Sequence, residues 1–190
     1  MIVAFDTYYS DNSAKTVGVG FHNWGDNKIA IKESEIIKVI SNYEPGQFYK
    51  RELPCILSLL AKFDIETINT IIVDGYTTID NQGKNGLGGY LYDSLEKKIP
   101  VIGVAKNKFK LNSKKAKEIL RGHSSKPLFI SSVGIDLNIA AEKVKSMHGD
   151  YRIPTMLKIV DIKTKEKVDN NSKGRLPRTK KRISKLFKTS

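Results

Sequence analysis

Ile2-Val3-Ala4-Phe5-Asp6-Thr7, then Thr16-Val17-Gly18-Val19-Gly20-Phe21-His22-Asn23, then the run from Lys28 to Ser34 decide the fold of this 190-residue chain. The first run is apolar up to Asp6, as a strand covered on both faces must be. In the second, Val17, Val19 and Phe21 alternate with Gly18, Gly20 and His22, the period-two signature of a strand. Tyr8 to Ala14 holds Asp11-Asn12-Ser13, and Trp24-Gly25-Asp26-Asn27 has the composition of a tight turn. Three consecutive strands joined by short turns predict an antiparallel meander.

Beyond it the pattern changes. Glu35 to Tyr43 has mixed strand and helix character and reads as a short connection. Phe48 to Phe63 carries Leu53, Ile56, Leu57, Leu60 and Phe63 at helical spacing, entered through a Pro45-Gly46 turn. Thr67 to Val73 predicts a buried strand ending at Asp74-Gly75. Lys84 to Lys97 predicts a helix opening in a Gly-rich segment, and Pro100 to Val104 a further apolar strand. Asn112 or Ser113 is suited to cap a short basic helix reaching Arg121. Pro127 to Ser132 follows as a strand, Leu137 to Met147 as a helix, and Pro154 to about Lys165 as the last helix. A meander followed by alternating strands and helices predicts one α/β domain over residues 1–165. Its architecture is ribonuclease-H-like: a mixed sheet, antiparallel meander then parallel strands, flanked by helices. A three-layer parallel fold is the alternative, and the opening hairpins disfavour it.

The chain carries a net charge of +13, unevenly distributed. From Lys163 onward there are 11 Lys or Arg against Glu166 and Asp169, a net of +9, which leaves +4 on the body. Cations displace counterions from phosphate, so this balance predicts a nucleic-acid partner, DNA or RNA. Residues 166–190 then form a basic, disordered tail; a merely solubilising tail accounts for the same charges. No apolar run approaches the roughly 20 residues that span a bilayer, so no membrane partner is expected. The N-terminus enters a strand at once with no basic leader. The single Cys55 has no internal disulfide partner, as in a reducing compartment. A cytoplasmic monomer is the expectation.

Asp6 ends the first strand and Asp74 the central apolar one. In open α/β sheets ligands gather at the carboxyl ends of strands. Glu52, at the start of the helix before Asp74, is in position to converge on the same edge. Gathered carboxylates repel one another unless a cation neutralises them, and an oxygen-only set selects Mg²⁺ or Mn²⁺ over zinc. Such a centre points to phosphodiester hydrolysis, with one ion activating water and a second, about 4 Å away, steadying the leaving oxygen. Each acid also has an ordinary structural reading, an Asp capping a loop or a Glu favoured by the helix dipole. Spacing alone does not separate the two. His22, His123 and His148 have no ligand-like spacing and read as surface or loop residues.

Several blocks, taken together, go further: Tyr43-Glu44-Pro45-Gly46, Arg51-Glu52-Leu53-Pro54, Val73-Asp74-Gly75, Pro100 to Lys106, Lys126 to Ser131, and Tyr151-Arg152-Ile153-Pro154. In order and spacing they resemble the endonuclease V family, from Asp6 to about Asp161. The resemblance implies a ribonuclease-H-like fold and Mg²⁺- or Mn²⁺-dependent cleavage of the second phosphodiester 3′ to inosine in DNA, RNA or both. It puts Asp6, Glu52 and Asp74 at the metal-ligand positions, with Asp161 at a position where the family has Asp or His near the metals. It implies that Lys106 contacts the scissile phosphate and that Tyr43 is a wedge filling the gap left by a displaced base. Pro45, Gly46, Asp80, Ser131 and Gly134 fall on or beside the lesion- and strand-binding loops and are the remaining candidate nucleic-acid contacts.

The chain departs from the family where Tyr76-Thr77-Thr78 replaces Gln-Gly and a nearby His-Pro. It departs again where Ser131-Ser132-Val133-Gly134-Ile135 lacks the histidine of Ser-Pro-Gly-His. It also opens at the first strand, without the family's preceding helical segment. These departures fall on the loops more than on the acids. They leave open a nucleic-acid-binding module with lost or altered cleavage, or a metal nuclease of other specificity.

Overall fold

The computed structural model describes residues 1–10, 13–38, 49–109 and 114–166. β1 (Ile2–Ser10), β2 (Ser13–Phe21) and β3 (Ile31–Lys38) form the expected meander, with Val3 opposite Gly20 and Val17 opposite Ser34. β3 starts later than the sequence pattern predicts and takes up Glu35 to Lys38. It is an edge strand whose residues alternate between half-buried and exposed. A strand covered on one side only has no continuous apolar run to mark its end.

α1 (Tyr49–Leu60) leads through a 3-10 turn (Ile65–Thr67) into β4 (Thr70–Asp74), α2 (Leu87–Ser94) and β5 (Val101–Ala105). β6 (Lys117–Ile119), β7 (Leu128–Val133), α3 (Leu137–Lys145) and α4 (Thr155–Lys165) complete the described elements. The seven strands are ordered β3-β2-β1-β4-β5-β7-β6. β4 is parallel to β1, and β5 to β4, while β7 runs antiparallel to β5 and β6 antiparallel to β7. The fold is ribonuclease-H-like, a mixed sheet between two helical layers.

One expectation is corrected here. The basic helix reaching Arg121 is instead the short strand β6, with Ile119 opposite Leu128 and buried in the core. Tertiary pairing there overrides the helix-forming preference of Lys, Ala and Glu; its supposed cap at Asn112 or Ser113 lies outside the described residues. β7 runs antiparallel to β5, so the loop after β7 leaves from the edge opposite to the ends of β4 and β5.

Alternation along the strands builds the two cores. Ile2, Ala4, Ile72, Ile102 and Val104 face the α3–α4 layer, together with Met156 and Val160. Val3, Phe5, Ile71, Val73 and Val101 face the α1–α2 layer, with Ile56, Leu59 and Phe63 against them. Phe5 and Phe63 meet edge to face at 5.7 Å, a favoured aromatic geometry.

Candidate active site

The parity that sorts the core also aims the site. Asp6, Asp74 and Lys106 continue the series Ala4, Ile72 and Val104, so all three project toward the α4 layer. Asp74 ends β4 and Lys106 follows β5, while Asp6 lies within β1, which runs on to Ser10 instead of ending at Asp6 as the sequence pattern predicts. Phe5 pairs with Val73, which puts Asp6 and Asp74 side by side on neighbouring parallel strands. Glu52 reaches them from α1, in the opposite layer, and is only 3% exposed. Asp161 comes from α4 and lines one cavity with Asp6, Asp74 and Lys106. The structure thus brings Asp6, Glu52, Asp74, Asp161 and Lys106 to one sheet edge.

The electrostatics record the crowding. Burial and then the Asp74 carboxylate push the Asp6 carboxyl up to about 6, against a lowering hydrogen bond from the Thr7 amide at 2.8 Å. Burial, followed by Asp6 and Asp74, holds the Glu52 carboxyl well above the usual range. Glu52 Oε2 is buried with no hydrogen-bond partner. Lys106 donates to Asp74 Oδ2 at 3.1 Å. Partial burial works against its charge, but Asp74, Asp161 and Asp6 outweigh that and raise the ammonium. Asp161 Oδ1 accepts from Lys165 at 2.7 Å.

Among the described residues, no three acid, His or Cys side chains stand close enough to ligate one ion as they are. The donor chemistry nevertheless fits a divalent cation: the carboxylates offer oxygen only, burial and then mutual repulsion raise the proton affinity of Asp6 and Glu52, and Glu52 keeps an orphaned buried oxygen. Asp6, Glu52, Asp74 and Asp161 are the residues that would hold it.

The remaining sequence candidates divide. Tyr43, Pro45 and Gly46 lie outside the described residues, as does the tail from residue 167. Asp80 holds a turn, its Oδ1 accepting from the Lys84 amide at 2.8 Å. Ser131 is fully buried behind the site, where its Oγ accepts from the Thr77 amide at 2.9 Å, so it stands as a support and not as a surface contact. Gly134 follows β7 and therefore sits at the opposite edge of the sheet from Lys106, against the Tyr92 ring. The antiparallel direction of β7 carries its C-terminal end, and Gly134 with it, away from the site.

Other residues at the site carried little or no sequence signal. Gly103 lets β5 pass beneath the turn after Asp74, since a Cβ there would meet the Gly75 carbonyl at 2.5 Å and Ser131 Oγ at 2.7 Å. The cavity, about 730 Å³, extends from the acids to His123, Tyr151, Arg152 and Lys158. Arg121 is 5% exposed and donates to the carbonyls of Lys145, Met147, Gly149, Tyr151 and Arg152. Arg152 in turn donates to the carbonyls of Pro127 and Lys106. An arginine that binds only main chain has no partner side chain in the sequence to betray it.

Asp6 within β1 and Asp74 at the end of the neighbouring parallel strand β4 define a ribonuclease-H-like protein with a carboxylate centre. The family model for Endonuclease V matches residues 1–162, and the chain belongs to that family. The endonuclease V of Streptomyces avermitilis superposes with a TM-score of 0.67 at 22% identity, over 86% of this chain and 78% of that one. The catalytic domain of human endonuclease V gives 0.68 at 20%, over 86% and 80%. Ciona intestinalis endonuclease V, in complex with a DNA containing an inosine followed by a ribo-adenosine, gives 0.69 at 19%, over 86% and 83%. No curated protein matches the sequence.

Proposed function

We propose that this protein is an endonuclease that uses Mg²⁺ or Mn²⁺ to hydrolyse a phosphodiester 3′ to inosine in DNA or RNA. Family membership supports the nuclease, and the inosine-containing DNA held by the Ciona relative supports the substrate. The observation that carries the site assignment is the convergence of Asp6, Glu52 and Asp74 with their carboxyl affinities raised by burial and by one another. When bound there, a divalent cation offsets that repulsion and polarises the phosphodiester toward attack by water.

The chain's own groups do the rest. Asp6 and Asp74, on adjacent strands, fix two carboxylates on a rigid floor. Glu52 contributes from a desolvated position, where charge interactions are strengthened. Lys106 exchanges Asp74 for a phosphate oxygen and stabilises charge developing on it. Water adds to phosphorus and gives up a proton, the P–O3′ bond breaks, and the departing 3′ oxygen takes up a proton, leaving a 3′-hydroxyl and a 5′-phosphate. Tyr43 is the proposed wedge, and the basic tail adds affinity through phosphate contacts without choosing the sequence.

Incubation with Mg²⁺ and inosine placed in single-stranded RNA or in duplex DNA tests this. Cleavage by wild type and not by Asp74→Ala is expected; an uncut substrate, or an equally active variant, overturns it. A second reading, binding without cleavage, is favoured by the Lys106–Asp74 ion pair, which neutralises one carboxylate without a metal ion. Salt-sensitive binding with no metal-dependent cut in any strand would establish it.

A further inference from the structure

The cavity is larger than a carboxylate centre needs. Its floor is acidic, yet its far wall is formed by Tyr151, Lys158 and His123 over the apolar Ile153 and Leu157. Tyr151 is 74% exposed, the most exposed of the large hydrophobic residues described. An exposed tyrosine on a loop is commonly of no consequence, but this loop is not free to move. Arg121 ties down five carbonyls between Lys145 and Arg152, including that of Tyr151 itself. Gly122, in the left-handed region at φ 56°, lies so close to the Asp150 carbonyl that a Cβ would overlap it. Lys158 on α4 stands 5.5 Å from the Tyr151 ring centre, fixing the ring from one face. Arg152 links the same loop to the backbone of Lys106. The result is a solvent-facing aromatic ring on a rigid frame, one residue from a direct connection to the acids' lysine.

We propose that Tyr151 and Lys158 form a subsite for an unpaired nucleotide flanking the bond to be cut, with the base stacked on the Tyr151 ring and its phosphate facing Lys158. This rests on the nuclease reading only for which bond is cut. A base inside a duplex has both faces covered by its neighbours and cannot stack on a protein ring. An unpaired base can, and every base has a face to offer, so the subsite selects single strands without selecting sequence. The apolar wall formed by Ile153 and Leu157 suits a base plane, and Lys158 and Lys106 supply the cations its phosphates need.

The test uses the full chain without divalent metal and a short single-stranded oligonucleotide carrying 2-aminopurine, beside the same sequence as a duplex. Tyr151→Ala is expected to weaken single-strand binding about tenfold and to abolish quenching of the probe. Tyr151→Trp is expected to keep both, and duplex affinity is expected to be unchanged throughout. Equal weakening of single strand and duplex, or no change in either, overturns the proposal. So does loss of affinity in Tyr151→Trp equal to that in Tyr151→Ala. The nuclease reading is scored separately by inosine cleavage against Asp74→Ala: its failure leaves a single-strand-binding subsite standing. Normal cleavage with indifferent Tyr151 variants removes the subsite alone.

Discussion

Lys106 Nζ lies 3.1 Å from Asp74 Oδ2, bridging a residue that ends β4 and one that follows β5. The pair stands beside Asp6 and Asp161, which also act on the lysine. Removing the cation therefore does two things: it takes a donor from the phosphate and leaves the carboxylates less screened. Lys106→Met is expected to lower the cleavage rate by about 10²-fold or more, the cost usual for losing one preorganised donor. Single-turnover kinetics on an inosine substrate would read this, and a rate within a factor of two of wild type would contradict it.

Asp6 makes the metal-free protein sensitive to pH in an unusual direction. Its carboxyl is raised in the folded state, so its stabilising contribution is full below the ordinary value of 3.8 and is lost as pH rises through about 6. The loss amounts to about 3 kcal/mol for Asp6 alone. In a chelating buffer, the stability difference between Asp6→Asn and wild type should grow in favour of the variant between pH 4 and 7, measured by urea unfolding. A constant difference would remove the effect.

Glu52 →Gln gives a related but separable result. The amide is nearly isosteric and needs no counter-charge in its buried position. The variant should melt higher than wild type without metal, lose cleavage, and gain less protection from added Mg²⁺. Calorimetry with and without Mg²⁺ distinguishes this from a simple packing defect, which lowers the melting temperature in both conditions.

Gly103 →Ala tests the frame behind Asp74. The added methyl would press on the Gly75 carbonyl and Ser131 Oγ, both tied to the turn that follows the acid. Activity is expected to fall more than stability, because relaxation moves the Asp74 turn before it unfolds the sheet. A fold loss with no separate activity loss, seen by comparing kcat with the unfolding midpoint, would argue against it.

Arg121→Met should destabilise the protein by about 3 kcal/mol or more, since the buried Met147 carbonyl and several part-buried ones lose their donor together. Arg121→Lys should recover part of this, because an ammonium has three donors where the guanidinium has five. Urea unfolding of the three proteins in parallel gives the order.

Much of the fold was legible because its signals are local. The alternation of Val17, Val19 and Phe21 and the stripe from Leu53 to Leu60 each report a buried face within a few residues. The acids were legible for a related reason, since a charged residue after an apolar run stands out, even though β1 itself continues past Asp6. Strand direction was not: nothing within Leu128 to Val133 says whether it runs with β5 or against it, and that one choice moved Gly134 to the far edge. β6 was hidden because three residues carry too little pattern to outweigh lysine-rich helix propensity. Arg121 and Arg152 escaped because their partners are carbonyls, which every residue has.

That last property has a consequence for how the protein can change. A clamp that grips only main chain is blind to the side chains it holds. The exposed positions Ser146, His148, Asp150 and Tyr151 can therefore be exchanged while Arg121 keeps the loop in place, provided Met147 stays in the core, Arg152 keeps its own carbonyl partners and Gly149 retains its φ of 110°. The wall of the cavity is an interchangeable surface on a fixed mount, open to retuning of substrate choice without rebuilding the carboxylate centre beneath it.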